Sequence, residues 1–189
     1  MALKGFLWLC VVFCLSQAWA MPTRCAFREH LIEVSLNLLK DMGGHFPREC
    51  IKDNVLITFP AEVLTDGSQN ENIQPVVYET LRSVNTLFQS EGRPSTWDQR
   101  KLEDFQSVVF RQVSDFKKCA LRNRTRRETS SANNSTVQLK TYFKKMGRFL
   151  EEKNYSSCAW EITRQKLIQV IQAILEKQHA VGALNVEHY

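Results

Sequence analysis

The fold is decided by the stretch Cys158-Ala159-Trp160-Glu161-Ile162-Thr163-Arg164, which opens the most regular apolar repeat in the chain. At ~100° per residue, four large apolar side chains fall within about 60° of one another on a helix. They are Trp160, Leu167, Ile171 and Ile174. This periodicity predicts a final helix with one buried side. We expect Trp160 to lie in the core, where its indole N–H needs a buried acceptor.

Four more helices are predicted upstream. Apolar residues recur at helical spacing over 28–42, 77–88, 102–116 and 139–150. Gly43-Gly44 can end the first of these helices, and Ser95-Thr96-Trp97-Asp98 is typical of a capping box that begins the third. We expect a long connection over 44–74 and a solvated polar loop over 120–136. Five helices with one long early crossover predict an all-α, up-up-down-down cytokine bundle with a long first overhand loop.

The first twenty residues have the pattern of a signal peptide. Lys4 precedes an apolar run over 6–15, and Ala18-Trp19-Ala20 is a small-x-small cleavage site. The run is shorter than the roughly 20 residues that a spanning helix needs. We therefore expect a secreted, extracellular product with no membrane insertion, and a single helical domain over 21–189. Loss of Lys4 lowers the formal net charge from +5 to +4, which predicts no nucleic-acid partner.

Four of the six cysteines remain after cleavage at residue 20, namely Cys25, Cys50, Cys119 and Cys158. An even number in an oxidising compartment predicts two disulfides, with three possible pairings. A helix over 28–42 would hold Cys25 and Cys50 near opposite ends, too far apart for the roughly 7 Å that a disulfide allows. Two pairings stay open on this reasoning.

Two motifs resemble one known family. Cys158-Ala159-Trp160-Glu161 is similar to the signature that begins the last helix of type I interferons. Cys50-Ile51-Lys52-Asp53, followed by Phe59-Pro60-Ala61-Glu62, resembles the first long loop of the same family, and the four cysteines resemble its fish-type members. The resemblance implies the pairs Cys25–Cys119 and Cys50–Cys158. It also implies a secreted antiviral cytokine that bridges a heterodimeric class II cytokine receptor and so triggers JAK–STAT signalling.

The resemblance further implies a receptor-binding face built from the first long loop and the last helix. Its expected members are Ile51, Lys52, Asn54, Arg164, Gln165, Ile168, Gln169 and Gln172. Asn54 departs from the family pattern, in which an arginine commonly follows the Cys-x-Lys-Asp motif. Arg164 lies about 40° from Trp160, at the edge of the apolar arc. This position fits either a salt bridge with Glu161 or a partner-facing anchor. A second receptor face is expected across the second to fourth helices.

The remaining motifs concern partners and modification. The sequence has no enzyme motif, and its four histidines show no metal-ligand spacing, so we expect neither catalysis nor a cofactor. Lys140, Lys144, Lys145 and Arg148 form a basic helix face that fits solvent or a glycosaminoglycan. Two other functions are the alternatives to a type I interferon. The first is a different helical cytokine, interleukin-10-like or type III interferon-like. The second is a cationic helical defence protein that acts on anionic surfaces. Arg124-Thr125-Arg126-Arg127 fits a solvated basic turn better than a processing site. N-glycosylation acceptors are expected at Asn123, Asn133, Asn134 and Asn154.

Overall fold

The computed structural model describes residues 27–53, 55–64, 73–90, 92–122 and 130–186. The predicted signal peptide and Arg124-Thr125-Arg126-Arg127 lie outside this part of the chain. Five α-helices are present in it: α1 (Glu29–Gly43), α2 (Gln74–Leu87), α3 (Gln99–Arg122), α4 (Ser130–Glu152) and α5 (Ser157–Val186). Two 3₁₀ turns, Arg48–Asp53 and Ala61–Leu64, lie in the long connection after α1. The described residues contain no strand, which confirms the all-α prediction.

The directions of the helices follow from contacts at their two ends. Asp98, just before α3, donates its backbone N–H to Met42 O at the end of α1, while Phe27 stacks on Phe116 near the end of α3. Phe88, just after α2, contacts Phe105, whereas Tyr78 contacts Phe116. Both α1 and α2 therefore run antiparallel to α3, and so they run in the same direction.

The last helix completes the bundle. Arg164 bonds the C-terminal end of α1, and His179 contacts Glu29 at its beginning, so α5 also runs antiparallel to α1. Helices α1, α2, α3 and α5 consequently form the expected up-up-down-down arrangement. A tight turn over 153–156 reverses the chain between α4 and α5, and Asn154 and Tyr155 adopt φ of +51° there.

The core is built from the apolar stripes that the sequence predicts. Trp160 is fully buried and lies against Phe88 and Trp97, with ring centroids 5.4 and 5.9 Å away. Its predicted position in the core is confirmed. The predicted acceptor is not found, because the Trp160 indole N–H has no hydrogen-bond partner among the described residues.

Three predicted helix boundaries are wrong. The third helix begins at Gln99, and its cap is Asp98, whose Oδ1 accepts the backbone N–H of Lys101 at 3.1 Å. Ser95 therefore lies outside the helix. The polar stretch predicted as a loop over 120–136 is helical at both ends, because α3 continues to Arg122 and α4 already begins at Ser130. Polar composition alone does not separate a loop from the solvated first turns of a helix.

Candidate functional site

A disulfide joins the first long loop to the start of α5. Cys50, in the 3₁₀ turn Arg48–Asp53, is bonded to Cys158, and their Cα atoms are 5.0 Å apart. This confirms the pairing that the family resemblance implied. Cys119 is also disulfide-bonded. Its predicted partner, Cys25, lies outside the described residues, so that pair stays a prediction.

Two polar contacts hold the same loop in the residues that follow Cys50. Lys153 Nζ lies 2.9 Å from Asp53 Oδ1, and this hydrogen bond lowers the pKa of the Asp53 carboxyl from its ordinary value. Lys166 Nζ donates to Ile57 O at 3.1 Å, and burial lowers the pKa of this ammonium. The loop is therefore fixed to the α4–α5 turn and to α5 at three points.

Arg164 lies in the interior of the protein, with only 1% of its surface exposed. Its guanidinium donates to Glu161 Oε2 at 2.8 and 3.1 Å and to three backbone carbonyls at the end of α1. These carbonyls belong to Leu39, Lys40 and Gly44, at 3.1, 3.0 and 2.9 Å. The expectation that Arg164 faces a partner is wrong, because its donors are used by Glu161 and by carbonyls at the C-terminal end of α1, where a helix leaves carbonyls without intrahelical donors. The other interpretation of this position, a salt bridge between Arg164 and Glu161, is confirmed.

Glu161 is the centre of this buried network, a role that the sequence analysis missed. One carboxylate oxygen accepts from Arg164, and the other accepts the indole N–H of Trp97. Gly43 leaves room for the network: a Cβ at this position would lie 2.7 Å from Arg164 Cζ and 2.8 Å from Glu161 Oε1. The following residue, Gly44, adopts φ of +63° where α1 ends. Gly43 thus provides space for the buried network, whereas Gly44 provides the positive φ at the end of α1.

The surface of α5 beside the loop is a shallow cleft of about 230 Å³. It is lined by Phe46, Ile162, Gln165, Lys166 and Gln169. The structure therefore brings two of the predicted receptor residues, the glutamines at 165 and 169, to one surface. Gln172 is half-buried one turn farther along α5. Ile168 is only 8% exposed and packs in the core, so its predicted role as a partner contact is wrong.

The loop contributes exposed apolar residues to this region. Ile51 is 63% exposed next to the disulfide, and Lys52 is exposed beside it. Asn54 lies outside the described residues. Leu56, which the sequence analysis did not select, is 97% exposed, although the carbonyl of its neighbour Ile57 is held by α5. A lone leucine in an irregular loop has no periodic pattern that could have distinguished it from a core residue.

The predicted glycosylation acceptors have different settings. Asn154 is exposed in the turn between α4 and α5. Asn133 and Asn134 lie on α4 and not in the predicted loop. Asn134 is exposed, whereas Ser135, the hydroxyl residue of the Asn133 acceptor, is buried. Asn123 lies outside the described residues, and the use of all four acceptors stays a prediction.

Among the described residues, one group of side chains has donor atoms within metal-ligand reach. Glu29 and Glu33 on α1 and His179 on α5 place one ligand atom each within 4.8 Å of the others. His179 Nε2 lies 2.5 Å from Glu29 Oε1 and 4.0 Å from Glu33 Oε1. The three side chains are about half exposed. They form a surface contact between the first and last helices.

Comparison with known proteins connects this geometry to a family. The family model for the interferon alpha/beta domain matches residues 27–179 of this chain. The chain belongs to the interferon alpha/beta family. This interferon is 33% identical to human interferon alpha-21 over 138 residues, covering 71% of this chain and 72% of the relative. It is 30% identical to horse interferon alpha-2 over 148 residues, covering 77% and 80% of the two chains.

Solved structures agree with this assignment. The interferon superposes on zebrafish interferon 2 with a TM-score of 0.71 and 35% identity, over 80% of this chain and 99% of the other. Superposition on zebrafish interferon 1 gives a TM-score of 0.62 and 26% sequence identity, over 80% of this chain and 94% of the other. The protein is thus a cytokine of the antiviral interferon class, with cytokine receptors as partners, and the alternative of a different helical cytokine family is set aside. None of the described helices combines the length and apolarity that a membrane span requires.

Proposed function

We propose that this interferon is a secreted antiviral cytokine that brings together two class II cytokine receptor chains and thereby activates JAK–STAT signalling. The observation that supports this proposal best is the attachment of the first long loop to α5 by the Cys50–Cys158 disulfide. The attachment fixes the loop, which carries the exposed apolar residues Ile51 and Leu56, to the helix that carries the uncharged glutamines. Protein interfaces favour depletion of charge at their centres.

The fixed loop also lowers the entropic cost of binding. Ordering a loop during association consumes free energy that would otherwise appear as affinity. Here Lys153 holds the Asp53 side chain and Lys166 holds the backbone carbonyl of Ile57 before any partner arrives. Ile51 and Leu56 are therefore presented at defined positions, as binding hot spots require. We propose that one receptor chain contacts these two residues together with Lys52, Gln165, Gln169 and Gln172.

The second receptor chain is proposed to contact the surface of α2, α3 and α4, excluding the side of α4 that carries Lys140, Lys144, Lys145 and Arg148. On α3, the ring of Phe110 is 60% exposed. Aromatic side chains are enriched among the residues that dominate binding energy. Phe110 is therefore the first residue that we assign to this face.

The test uses surface plasmon resonance on each receptor ectodomain, together with a cell reporter for JAK–STAT signalling. Ile51→Ala and Leu56→Ala should each weaken binding to one chain by roughly 5- to 30-fold, which corresponds to the ~1–2 kcal/mol of a typical anchor. Val137→Ala is the matched control, because Val137 is 59% exposed on α4, outside both the loop and α5. Normal binding by both loop variants would refute this face. Failure of the wild-type protein to bind two different chains would refute bridging.

The cationic defence hypothesis predicts that α4 opens toward an anionic membrane. The structure opposes this hypothesis, because Leu139, Met146 and Leu150 on the apolar side of α4 are fully buried. An interfacial helix needs that side free. For the exposed basic side of the same helix we propose a glycosaminoglycan as an additional extracellular partner.

A further inference from the structure

The basic side of α4 differs from the other charged surfaces of this protein. We define the basic face as Lys140, Lys144, Lys145 and Arg148, all of which are exposed. The sequence from residue 130 to residue 150 contains no aspartate or glutamate. None of the four side chains forms an ion pair with a described residue, whereas Arg82, Lys101 and Lys153 each do so.

The spacing places these charges along one line of the helix. At ~100° and 1.5 Å per residue, Lys140, Lys144 and Arg148 lie within an arc of about 80° and rise by about 12 Å. Lys145 stands beside them. Like charges four residues apart on a helix repel one another and destabilise it. A bound polyanion would offset this repulsion, which favours its binding in addition to the direct attraction between opposite charges.

The helix fits a chain-like polyanion better than a bilayer. The apolar side of α4 is fixed in the core, so only charged and polar groups can meet a partner. Lipid surfaces are bound by helices that contribute apolar area as well as charge. Duplex nucleic acid usually requires a more strongly basic domain than one with a formal net charge of +5.

We infer that the basic face is a docking site for a highly sulfated glycosaminoglycan, which would hold the cytokine at the cell surface or in the matrix. The inference deepens the proposed function and depends on secretion, because such chains are extracellular. It makes no use of the loop or of α5. Binding to the polysaccharide and binding to the receptor can therefore be tested separately.

The experiment measures the affinity of the mature protein for immobilised heparin by surface plasmon resonance, at several salt concentrations. The test variant combines Lys140→Gln, Lys144→Gln and Arg148→Gln. Its control combines Arg111→Gln, Lys117→Gln and Lys118→Gln on α3, which removes the same total charge. The control residues are also exposed, but Asp115 lies between two of them on the helix surface.

The basic-face variant should bind heparin 10- to 100-fold more weakly than the wild type, and its affinity should depend less on salt. The control should change by less than threefold. Equal losses in both variants would show attraction to net charge only, and would overturn the inference. Equal wild-type affinity for desulfated heparin, duplex DNA or phosphatidylserine vesicles would overturn the assignment to sulfated chains.

The reporter assay separates this inference from the proposed function. At saturating concentration, the basic-face variant should signal with wild-type amplitude. Heparin binding that survives in the variant while signalling is lost would make the basic face a receptor contact, and would overturn the inference. Absence of signalling by the wild type, with normal heparin binding, would refute receptor activation alone. Circular dichroism of each variant verifies that its helical content is unchanged.

Discussion

Replacement of Arg164 by alanine should destabilise the fold strongly, because it leaves a buried carboxylate without its counter-charge. Side chains 164 and 161 are 1% and 6% exposed, and their closest N–O distance is 2.8 Å. Removal of one partner of a buried ion pair typically costs ~3–5 kcal/mol. Among the described residues, the indole N–H of Trp97 would remain the only donor to the Glu161 carboxylate.

The three carbonyls at the end of α1 add little to this figure. Lys40 and Gly44 are exposed residues, so water can replace the lost donors at these positions. The expected loss of stability is therefore the ~3–5 kcal/mol of the broken ion pair alone. For a domain of this size, ~2–4 °C per kcal/mol converts the loss to a decrease in melting temperature of roughly 6–20 °C.

Thermal melts and urea unfolding of the mature protein measure this effect. Lys101→Ala is the control, because Lys101 and Asp41 form an exposed ion pair at 3.5 Å that should contribute less than ~1 kcal/mol. Arg164→Lys should be intermediate, since an ammonium keeps the charge but lacks the planar fork. Well below its melting temperature, Arg164→Ala should still bind the receptor.

A double-mutant cycle tests the cause. Glu161→Leu combined with Arg164→Leu should cost less than the sum of the single changes, because the double variant leaves no unpaired charge. Additive costs would contradict a buried pair. A variant at position 164 that melts within 2 °C of the wild type but no longer binds receptor would refute the structural role altogether.

Three further predictions concern the same end of the bundle. Gly43→Ala should cost ~1–3 kcal/mol in urea unfolding, because the new Cβ would lie 2.7 Å from the buried guanidinium carbon; an unchanged midpoint would show that the network moves freely. Cys50→Ser with Cys158→Ser should lose about 2–5 kcal/mol, since the bond closes a loop of 108 residues; equal melting of the wild type with and without reductant would contradict this. Lys153→Gln should raise the pKa of Asp53 toward its ordinary value in an NMR titration. Because the folded-state pKa is lowered, the ion pair contributes stability above the unfolded pKa of about 3.9, and this contribution is lost as the pH falls through the folded value.

Local patterns in the sequence were sufficient to predict the helices and the side of each helix that is buried. The period of 3.6 residues links the spacing of Trp160, Leu167 and Ile171 directly to one side of α5. The motif around Cys50 and Cys158 likewise identified their disulfide, because the pairing belongs to the family pattern.

The location of the buried charges was decided only by the tertiary structure. The angular position of Arg164 placed it at the edge of the apolar arc, and that angle is the same for a buried salt bridge and for a surface anchor. The choice depends on which element packs against this edge. Here it is the C-terminal end of α1, whose carbonyls need donors and whose Gly43 leaves the space. The sequence of α5 by itself determined a helix with a core side; the antiparallel neighbour determined that the core side includes a charge.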